Sequence, residues 1–248
     1  MSVWFCLPSK REYYAGTLEA WRDMGYKVAI IREAKDGQAP VDLVLNTSRY
    51  QGWARSTNLV IGAVMAARSD AQWFVGGGDD YMPDPNKRAI EIAGECDEHF
   101  IKLWDHREDC PPSGAIANHS FGVMQPTGDR WGEKNGEAII DRIAGSPWLG
   151  REFCRRMYHG AGPLYNGYFH NFADEELQCV AQKLDVFWRR RDVNQEHRHW
   201  ARPRGSWDDA PEWAHAINHP VTSDWERSKA LFAKRKAAGF PGHEPLEL

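Results

Sequence analysis

The stretch FVGGGDDYMP, residues 74–83, joins a hydrophobic strand to a group of glycines and acids. The strand is the run AQWFV at 71–75, and three glycines lead from it to Asp79 and Asp80. A hydrophobic strand that ends in Gly and Asp is typical of a parallel α/β sheet, where ligands bind beyond the carboxyl ends of the strands. Glycines also let a ligand approach the backbone closely. A plain acidic turn is the alternative, because Asp and Gly favour turns.

Strands and helices alternate on both sides of this stretch. Hydrophobic runs of strand length are followed by segments with apolar residues at helical spacing, which predicts a doubly wound α/β fold with a mostly parallel central sheet flanked by helices. Neither a dinucleotide-binding GxGxxG motif nor a phosphate-binding GxxxxGK[ST] motif occurs. The predicted elements of the first hundred residues, in chain order, are 3–7, 11–25, 26–31, 41–46, 53–68, 71–75 and 87–99.

The pattern becomes less regular after residue 104. The sequence there predicts two further strands and three helices separated by segments rich in Pro, Gly and Ser. No repeat or low-complexity linker divides the chain, so we expect one domain over 1–205 and a C-terminal extension over 206–248 packed on it. The predicted elements are 119–126, 136–145, a helix from 174, 185–190 and 223–239.

Composition indicates an ordinary globular protein and excludes several classes. The 248 residues are 42% hydrophobic and 27% charged, and the net charge of −4 gives no general attraction to nucleic acid or anionic membranes. The start MSVWFCLPSKRE lacks the features of a signal peptide, and no run is long enough to span a bilayer. Five cysteines without a CxxC pair favour reduced thiols. We therefore expect a cytoplasmic protein.

Four separated motifs carry residues suited to chemistry. They resemble, in the same order, the motifs of GT-A nucleotide-sugar glycosyltransferases, in particular the family 2-like enzymes and their small phage-encoded members. This resemblance implies a GT-A fold with a nucleotide-binding half at 1–103 and an acceptor half at 104–205. The four motifs are QGWARSTNLVIGAVMA at 51–66, GGGDDY at 76–81, HNFADEELQCVAQKLD at 170–185 and NQEHRHW at 194–200.

The second and fourth motifs concern a metal ion. GGGDDY stands where the family carries a DxD-like motif, and Gly78 occupies the place of a first acid. The resemblance therefore implies that Asp80 binds Mn²⁺ or Mg²⁺ with Asp79 assisting. A histidine in the HxH phrase would complete the metal shell, and we favour His199 narrowly over His197. Solvated surface histidines are the alternative.

A UDP-sugar donor is the second implied ligand. The ends of the first two strands lie where a nucleotide base would sit in this fold, and basic residues near these ends suit its phosphates. Thr57 replaces the arginine that usually precedes the family's helix asparagine. Solvated surface charge is the alternative for the basic residues. The expected donor-binding residues are Pro8, Lys10, Arg11, Arg32, Arg55, Asn58, Gly78 and Asp79.

The third motif supplies a candidate catalytic base. Asp174 matches the position of the general base in inverting members, whereas Ala173 replaces the usual preceding glutamate. A base must accept the proton of the acceptor hydroxyl as that oxygen attacks the sugar. The alternative is that Asp174, Glu175 and Glu176 only cap a helix, because helix N-termini favour carboxylates.

The acceptor and two other functions stay open. The C-terminal third interleaves basic residues such as Arg189 to Arg191 with tryptophans, a weak nucleic-acid signature, so a modified base in phage DNA is one candidate acceptor and a solvated face is the other interpretation. A metal-dependent phosphoesterase would use Asp79, Asp80, His197 and His199. A non-catalytic sugar-binding or nucleotide-binding module would instead use the tryptophans.

Overall fold

Strand–helix units build the first half of the protein. The computed structural model describes residues 1–9, 15–33, 41–107, 119–128, 143–198 and 220–246. Hydrophobic runs form the strands, and the strands at 2–8, 27–33 and 71–75 are mostly buried, whereas the strand at 43–47 is half-buried. In chain order these elements are β1 (Ser2–Pro8), α1 (Ala15–Asp23), β2 (Lys27–Glu33), β3 (Leu43–Thr47), α2 (Trp53–Ala67), β4 (Ala71–Val75) and α3 (Ala89–Asp105).

The second half of the described structure contributes three strands and three further helices. A three-residue strand runs directly into a six-residue helix, where Gly150 packs so closely against Ser120 that a Cβ would lie 1.9 Å from its carbonyl oxygen. The elements are β5 (Val123–Thr127), β6 (Trp148–Gly150), α4 (Arg151–Arg156), a single turn at Met157–Gly160, α5 (Ala173–Lys183), β7 (Phe187–Asn194) and α6 (Pro220–Ala237).

The strands of the described residues form one seven-stranded sheet in the order β3-β2-β1-β4-β6-β5-β7. Strand β6 is antiparallel to both of its neighbours, whereas every other pairing is parallel. The carboxyl ends of β1, β2, β3, β4, β5 and β7 therefore lie at one edge of the sheet. Ligands bind beyond this edge in open α/β sheets.

The core is unusually aromatic. Trp21, Trp73 and Trp148 are fully buried, and each indole N–H finds an oxygen acceptor. Trp21 stacks on Phe5 with 3.9 Å between ring centroids. These contacts assign at least three of the twelve tryptophans to core packing, with no surface left on them for a ligand.

The predicted α/β class, with a mostly parallel sheet flanked by helices, is confirmed. Helix α3 extends to Asp105, beyond its predicted end at 99, and β7 reaches Asn194 instead of ending at 190. Strand β6 was not predicted, because three residues are too few to show periodicity. The helix predicted at 136–145 lies mostly outside the described residues, which resume at 143.

Two further expectations concern thiols and membranes. Four cysteines, at positions 6, 96, 154 and 179, are unpaired in the described part of the chain, and burial raises the pKa of each thiol. Across the same residues, the structure contains no helix with the length and hydrophobicity needed to traverse a lipid bilayer.

Candidate active site

Two segments meet at the carboxyl edge of the sheet and bring Asp80 to His197. Asp80 follows β4 and its glycines, and His197 follows β7. The N–H of Arg198 donates to the carbonyl of Asp80 at 2.7 Å, and the N–H of Met82 donates to the carbonyl of Glu196 at 2.8 Å. Tyr81 and His197 form the antiparallel bridge between these bonds. Backbone pairing, which needs no particular side chain, thus sets the register of the two residues.

The side chains of Asp80 and His197 also touch. Oδ2 of Asp80 lies 3.1 Å from Nε2 of His197, and the two side chains are 19% and 14% exposed. The imidazole stacks on the ring of Tyr81, with 4.0 Å between centroids and 12° between planes. The stack holds the imidazole in one orientation, so its nitrogen faces the carboxylate.

Gly78 leaves the space that the Asp80 carboxylate occupies. A Cβ at Gly78 would lie 2.6 Å from Oδ1 of Asp80, closer than any nonbonded contact allows. Gly77 has φ +145°, a conformation that favours glycine, and a Cβ there would crowd Ser146 and Tyr81 at 3.3 Å. The backbone conformation thus favours glycine at position 77, and Gly78 leaves the Asp80 carboxylate in its observed position.

Hydrogen bonds fix the glycine backbone itself. The Trp53 indole donates to the carbonyl of Gly77 at 2.9 Å, and the Ser146 hydroxyl donates to the carbonyl of Gly76 at 3.0 Å. Gln195 donates to the same hydroxyl at 2.6 Å. The loop that carries Asp79 and Asp80 is therefore preorganised.

Asp84 ties the turn after Asp80 to the end of β7. This carboxylate is 2% exposed and accepts the N–H groups of Asn86 at 2.7 Å and Lys87 at 3.2 Å. Its second oxygen accepts the N–H of Asn194 at 2.6 Å. The sequence PDPN indicated only a turn, but the same aspartate also holds the segment that leads to His197.

Asp79 points to the end of β1. Its Oδ2 accepts the hydroxyl proton of Ser9 at 2.9 Å. Burial, together with the negative charge of Asp79, raises the pKa of Tyr50 above its ordinary value, so the phenol keeps its proton. The Tyr50 hydroxyl lies 3.3 Å from Nδ1 of His170. The charge of Asp79 thus acts on the same tyrosine whose hydroxyl contacts His170.

The predicted donor-binding residues have different environments. Pro8 ends β1 beside Ser9, and Arg55 is exposed in the first turn of α2. Arg32, near the end of β2, is only 8% exposed, and its Nε and Nη1 have no hydrogen-bond partner in the described structure. A buried guanidinium without partners is costly, which is consistent with a site that binds an anion or a base edge.

Asn58 holds a loop of the second half of the chain. Its amide nitrogen donates to the carbonyl of Leu164 at 2.7 Å and to Asn166 at 2.9 Å, and its oxygen accepts the N–H of Leu164 at 3.1 Å. Gly162 packs against the same side chain, where a Cβ would lie 2.6 Å away. The polar groups of Asn58 thus bond within the protein, and donor contact by this residue stays a prediction.

Three of the predicted residues lie outside the described part of the chain: Lys10, Arg11 and His199. The choice of His199 over His197 therefore stays a prediction, and the contact with Asp80 is made by His197.

Asp174 lies in the first turn of α5 and is partly buried. Its Oδ1 accepts the N–H of Glu175 at 3.1 Å. Glu176, two positions further on, is fully buried and accepts hydrogen bonds from Tyr158 at 2.8 Å and Tyr168 at 2.7 Å. Of the three acids that the sequence grouped together, Glu176 is thus part of the core.

The donor set suits a hard divalent cation only in part. Asp80 and His197 supply one oxygen and one nitrogen at close range, and carboxylates are the ligands that Mg²⁺ and Mn²⁺ prefer. Throughout the ranges that the structure describes, no group of three or more His, Cys, Asp or Glu side chains is placed to hold a metal. Two protein ligands still fit Mg²⁺, which usually takes one or two carboxylates and completes its shell with water and phosphate.

Sequence reasoning missed Ser9, Tyr50 and His170. Ser9 directly follows a strand end at the ligand-binding edge, so topology alone would have indicated it. Tyr50 and His170 are 120 positions apart, and no local pattern brings them together.

Comparison with known proteins gives a limited result. The sequence matches no known family and no curated protein. The structure is similar to the catalytic domain of Drosophila β1,4-galactosyltransferase 7 in complex with xylobiose, with TM-score 0.47 and 13% identity over 80% of this chain and 71% of that chain. A mutant of the same enzyme, in complex with manganese, UDP-Gal and xylobiose, also gives TM-score 0.47 and 13% identity, over 88% and 82%. Likeness at this level does not extend to activity.

Proposed function

We propose that this protein is a metal-dependent glycosyltransferase of the GT-A type, which moves a sugar from a nucleoside diphosphate sugar to an acceptor hydroxyl. The contact between Asp80 and His197 carries the proposal, because it joins the DxD-like motif to the HxH motif at the carboxyl edge of the sheet. The family resemblance implied a carboxylate and a histidine in these two motifs. UDP is the nucleotide that the resemblance favours.

The donor side of the site would use a divalent cation held by Asp80 and His197. When bound there, the cation would neutralise charge on the diphosphate leaving group. Arg32 supports a nucleotide at the neighbouring strand end, since its buried Nε and Nη1 lack partners among the described residues. The Ser9 hydroxyl donates a hydrogen bond to Asp79, whereas the Asp80 carboxylate contacts His197.

The transfer needs a base on the acceptor side, and Asp174 is the proposed one. Its carboxylate would take the proton of the acceptor hydroxyl while that oxygen forms a bond to the anomeric carbon. The bond from the anomeric carbon to the diphosphate oxygen breaks, and its electron pair leaves with the nucleoside diphosphate. This direct displacement inverts the anomeric centre. Asp174 lies four positions after His170, which contacts Tyr50, and the charge of Asp79 acts on that same tyrosine, which supports the place of Asp174 near the donor.

The acceptor is proposed only as a molecule with a hydroxyl group. A base in phage DNA is the narrower prediction, and the basic residues that suggested it are in part neutralised. Arg190 is buried and pairs with Glu95 at 2.9 Å and Asp192 at 2.6 Å, and Arg235 pairs with Glu176 at 2.6 Å. These two arginines do not present a free positive surface to nucleic acid.

Thermal denaturation with nucleotides tests the proposal. UDP or GDP should raise the melting temperature only when Mn²⁺ or Mg²⁺ is present, because ligand binding to the native state alone stabilises it. ADP with the same metals is the control for nucleotide selectivity. The proposal is abandoned if neither UDP nor GDP shifts the melting temperature with any of these metals. A shift that each metal produces without nucleotide would instead favour a hydrolytic metal centre.

A further inference from the structure

We propose that helix α6 positions the acceptor side of the site, and that Asp224 is its principal positioning residue. We name residues 170–176 the acceptor segment. It begins at His170, which contacts Tyr50, and includes Asp174. Helix α6 lies in the predicted C-terminal extension, whose sequence carries no motif for chemistry. The inference rests on the proposed function, because it assigns the acceptor segment its role through Asp174.

The first contact lies at the start of the acceptor segment. Asp224 is 4% exposed, and its Oδ2 accepts the N–H of His170 at 3.2 Å. The Ser228 hydroxyl donates to the same oxygen at 2.5 Å, and Arg227 donates to Oδ1 at 3.0 Å. A buried carboxylate with these three donors holds the His170 backbone in place. The imidazole of His170 is at the same time 3.3 Å from the Tyr50 hydroxyl.

The second contact lies in the middle of the acceptor segment. Phe172 has φ +70°, a left-handed conformation that is strained for a residue with a side chain and persists only where the surroundings fix it. Its ring packs against Trp225, with centroids 4.9 Å apart, and against Phe232 at 5.6 Å. Both partners belong to α6. Phe172 is the residue that directly precedes α5, so this contact fixes where the helix of Asp174 begins.

The third contact lies at the end of the acceptor segment. Arg235 of α6 donates from Nε to Oε2 of Glu176 at 2.7 Å and from Nη2 to Oε1 at 2.6 Å. Glu176 is fully buried and Arg235 is 7% exposed. The guanidinium also lies over the ring of Tyr165, 3.4 Å from its centroid. This two-point pair fixes the rotation of the first turn of α5, on which Asp174 is carried.

The three contacts bracket Asp174 from both sides. All three arise from helix α6. Asp224 contacts His170, Trp225 and Phe232 contact Phe172, and Arg235 contacts Glu176. Catalytic groups must be placed to within a fraction of an ångström, and a misplacement of about 1 Å can cost on the order of a hundredfold in rate. Loss of the Asp224 contact should therefore lower turnover without changing donor binding.

The experiment replaces Asp224 in the full-length protein and compares three properties. Asp224→Ala removes the acceptor of the His170 N–H, whereas Asp224→Asn keeps one oxygen for it. For Asp224→Ala we expect amide hydrogen exchange across 170–176 to rise on the order of tenfold or more. The kcat for UDP release from UDP-galactose or UDP-glucose with Mn²⁺ should fall on the order of tenfold, with KM for the donor within about twofold. Asp224→Asn should keep most of the parent protein's protection from exchange across 170–176 and most of its kcat.

The matched control is Arg227→Ala. Arg227 pairs with the same carboxylate at 2.8 Å but is 70% exposed, so its loss should leave exchange and kcat near those of the parent protein. If Asp224→Ala does not fold, Trp225→Ala replaces it, because Trp225 is 49% exposed whereas Asp224 is only 4% exposed. That variant removes the ring contact with Phe172. It should raise hydrogen exchange across 170–176 and lower kcat by smaller factors than Asp224→Ala, with the donor KM again nearly unchanged.

The outcomes separate the two proposals. If the parent protein shows no metal-dependent stabilisation by UDP or GDP, the proposed function fails, and this inference fails with it. If the parent protein binds and turns over the donor, but exchange across 170–176 and kcat are unchanged in Asp224→Ala, only the positioning role fails. A parallel loss of kcat and of donor affinity would likewise overturn it, since it would indicate a general loss of structure.

Discussion

Oδ2 of Asp80 and Nε2 of His197 lie 3.1 Å apart although the two residues are separated by 117 positions. Backbone pairing on both sides of the contact, together with the buried Asp84, sets this distance. A carboxylate and an imidazole held at this distance are the proposed ligands of the divalent cation.

Asp80→Ala should abolish the metal-dependent stabilisation by UDP, because it removes the carboxylate ligand and leaves His197 alone. Isothermal titration of UDP in the presence of Mn²⁺ measures the loss directly. Glu196→Ala is the matched control, since Glu196 is an exposed acid next to His197 that pairs with Arg198. Equal binding by Asp80→Ala and the parent protein would exclude Asp80 as a metal ligand.

Gly78→Ala should weaken the same metal-dependent binding at little cost in stability. The new methyl group would lie 2.6 Å from Oδ1 of Asp80, and the side chain can move away, so the carboxylate shifts and the fold remains. Gly94→Ala is the control, because Gly94 lies in α3 with no atom within 4 Å of an added Cβ. That control should stabilise the protein by roughly 0.5–1 kcal/mol and leave UDP affinity unchanged. Undiminished binding by Gly78→Ala would show that the carboxylate position is not critical.

Asp174→Asn should leave donor binding intact and reduce transfer by on the order of a hundredfold or more. The reason is that a neutral amide is too weak a base to take the proton of the acceptor hydroxyl. UDP affinity with Mn²⁺ and UDP release from the donor are measured on the same preparation. The control is Glu175→Gln, which removes the neighbouring charge of the same helix turn. A loss of donor binding in Asp174→Asn would end its assignment as the base.

Glu176→Ala should destabilise the protein by about 3–5 kcal/mol, the range for removing one member of a buried ion pair. The cost arises because Arg235, at 7% exposed, loses its partner and the hydroxyls of Tyr158 and Tyr168 lose their acceptor. Denaturant unfolding monitored by tryptophan fluorescence measures the change. Glu98→Ala breaks an exposed pair with Lys102 and should cost less than about 1 kcal/mol. Similar costs for both variants would contradict the central role of the buried pair.

Stability should fall with acidification in a way that depends on Asp192. Hydrogen bonds from Arg190 hold the pKa of Asp192 well below its ordinary value of 3.8. The folded carboxylate thus binds its proton less readily than the unfolded one, so its contribution to stability is complete above about pH 4 and is lost as the pH falls toward the folded pKa. Asp192→Asn should therefore flatten the decline of the unfolding free energy below about pH 4. Glu226→Gln, at an exposed position of α6, should leave the slope unchanged.

Local pattern predicted the first half of this protein well, because its strands contain continuous hydrophobic runs. The motif order also placed Asp80 and a histidine of the HxH phrase at one site. What pattern could not supply are contacts between distant segments. Asn58 bonds to Leu164, 106 positions away, and Glu176 bonds to Arg235, 59 positions away. In the first case a residue predicted to bind the donor bonds to another part of the chain, and in the second an acid interpreted as a possible helix cap belongs to a buried ion pair.

Trp53 has a consequence for how two substrates would influence each other. Its indole N–H binds the carbonyl of Gly77, and its backbone N–H binds the carbonyl of Phe169 at 2.7 Å, so one residue joins the glycine loop to the chain just before the acceptor segment. Donor binding and acceptor binding would be coupled through this residue only if they shift its position. Thermodynamic reciprocity then requires that the factor by which donor changes the affinity for acceptor equals the factor by which acceptor changes the affinity for donor.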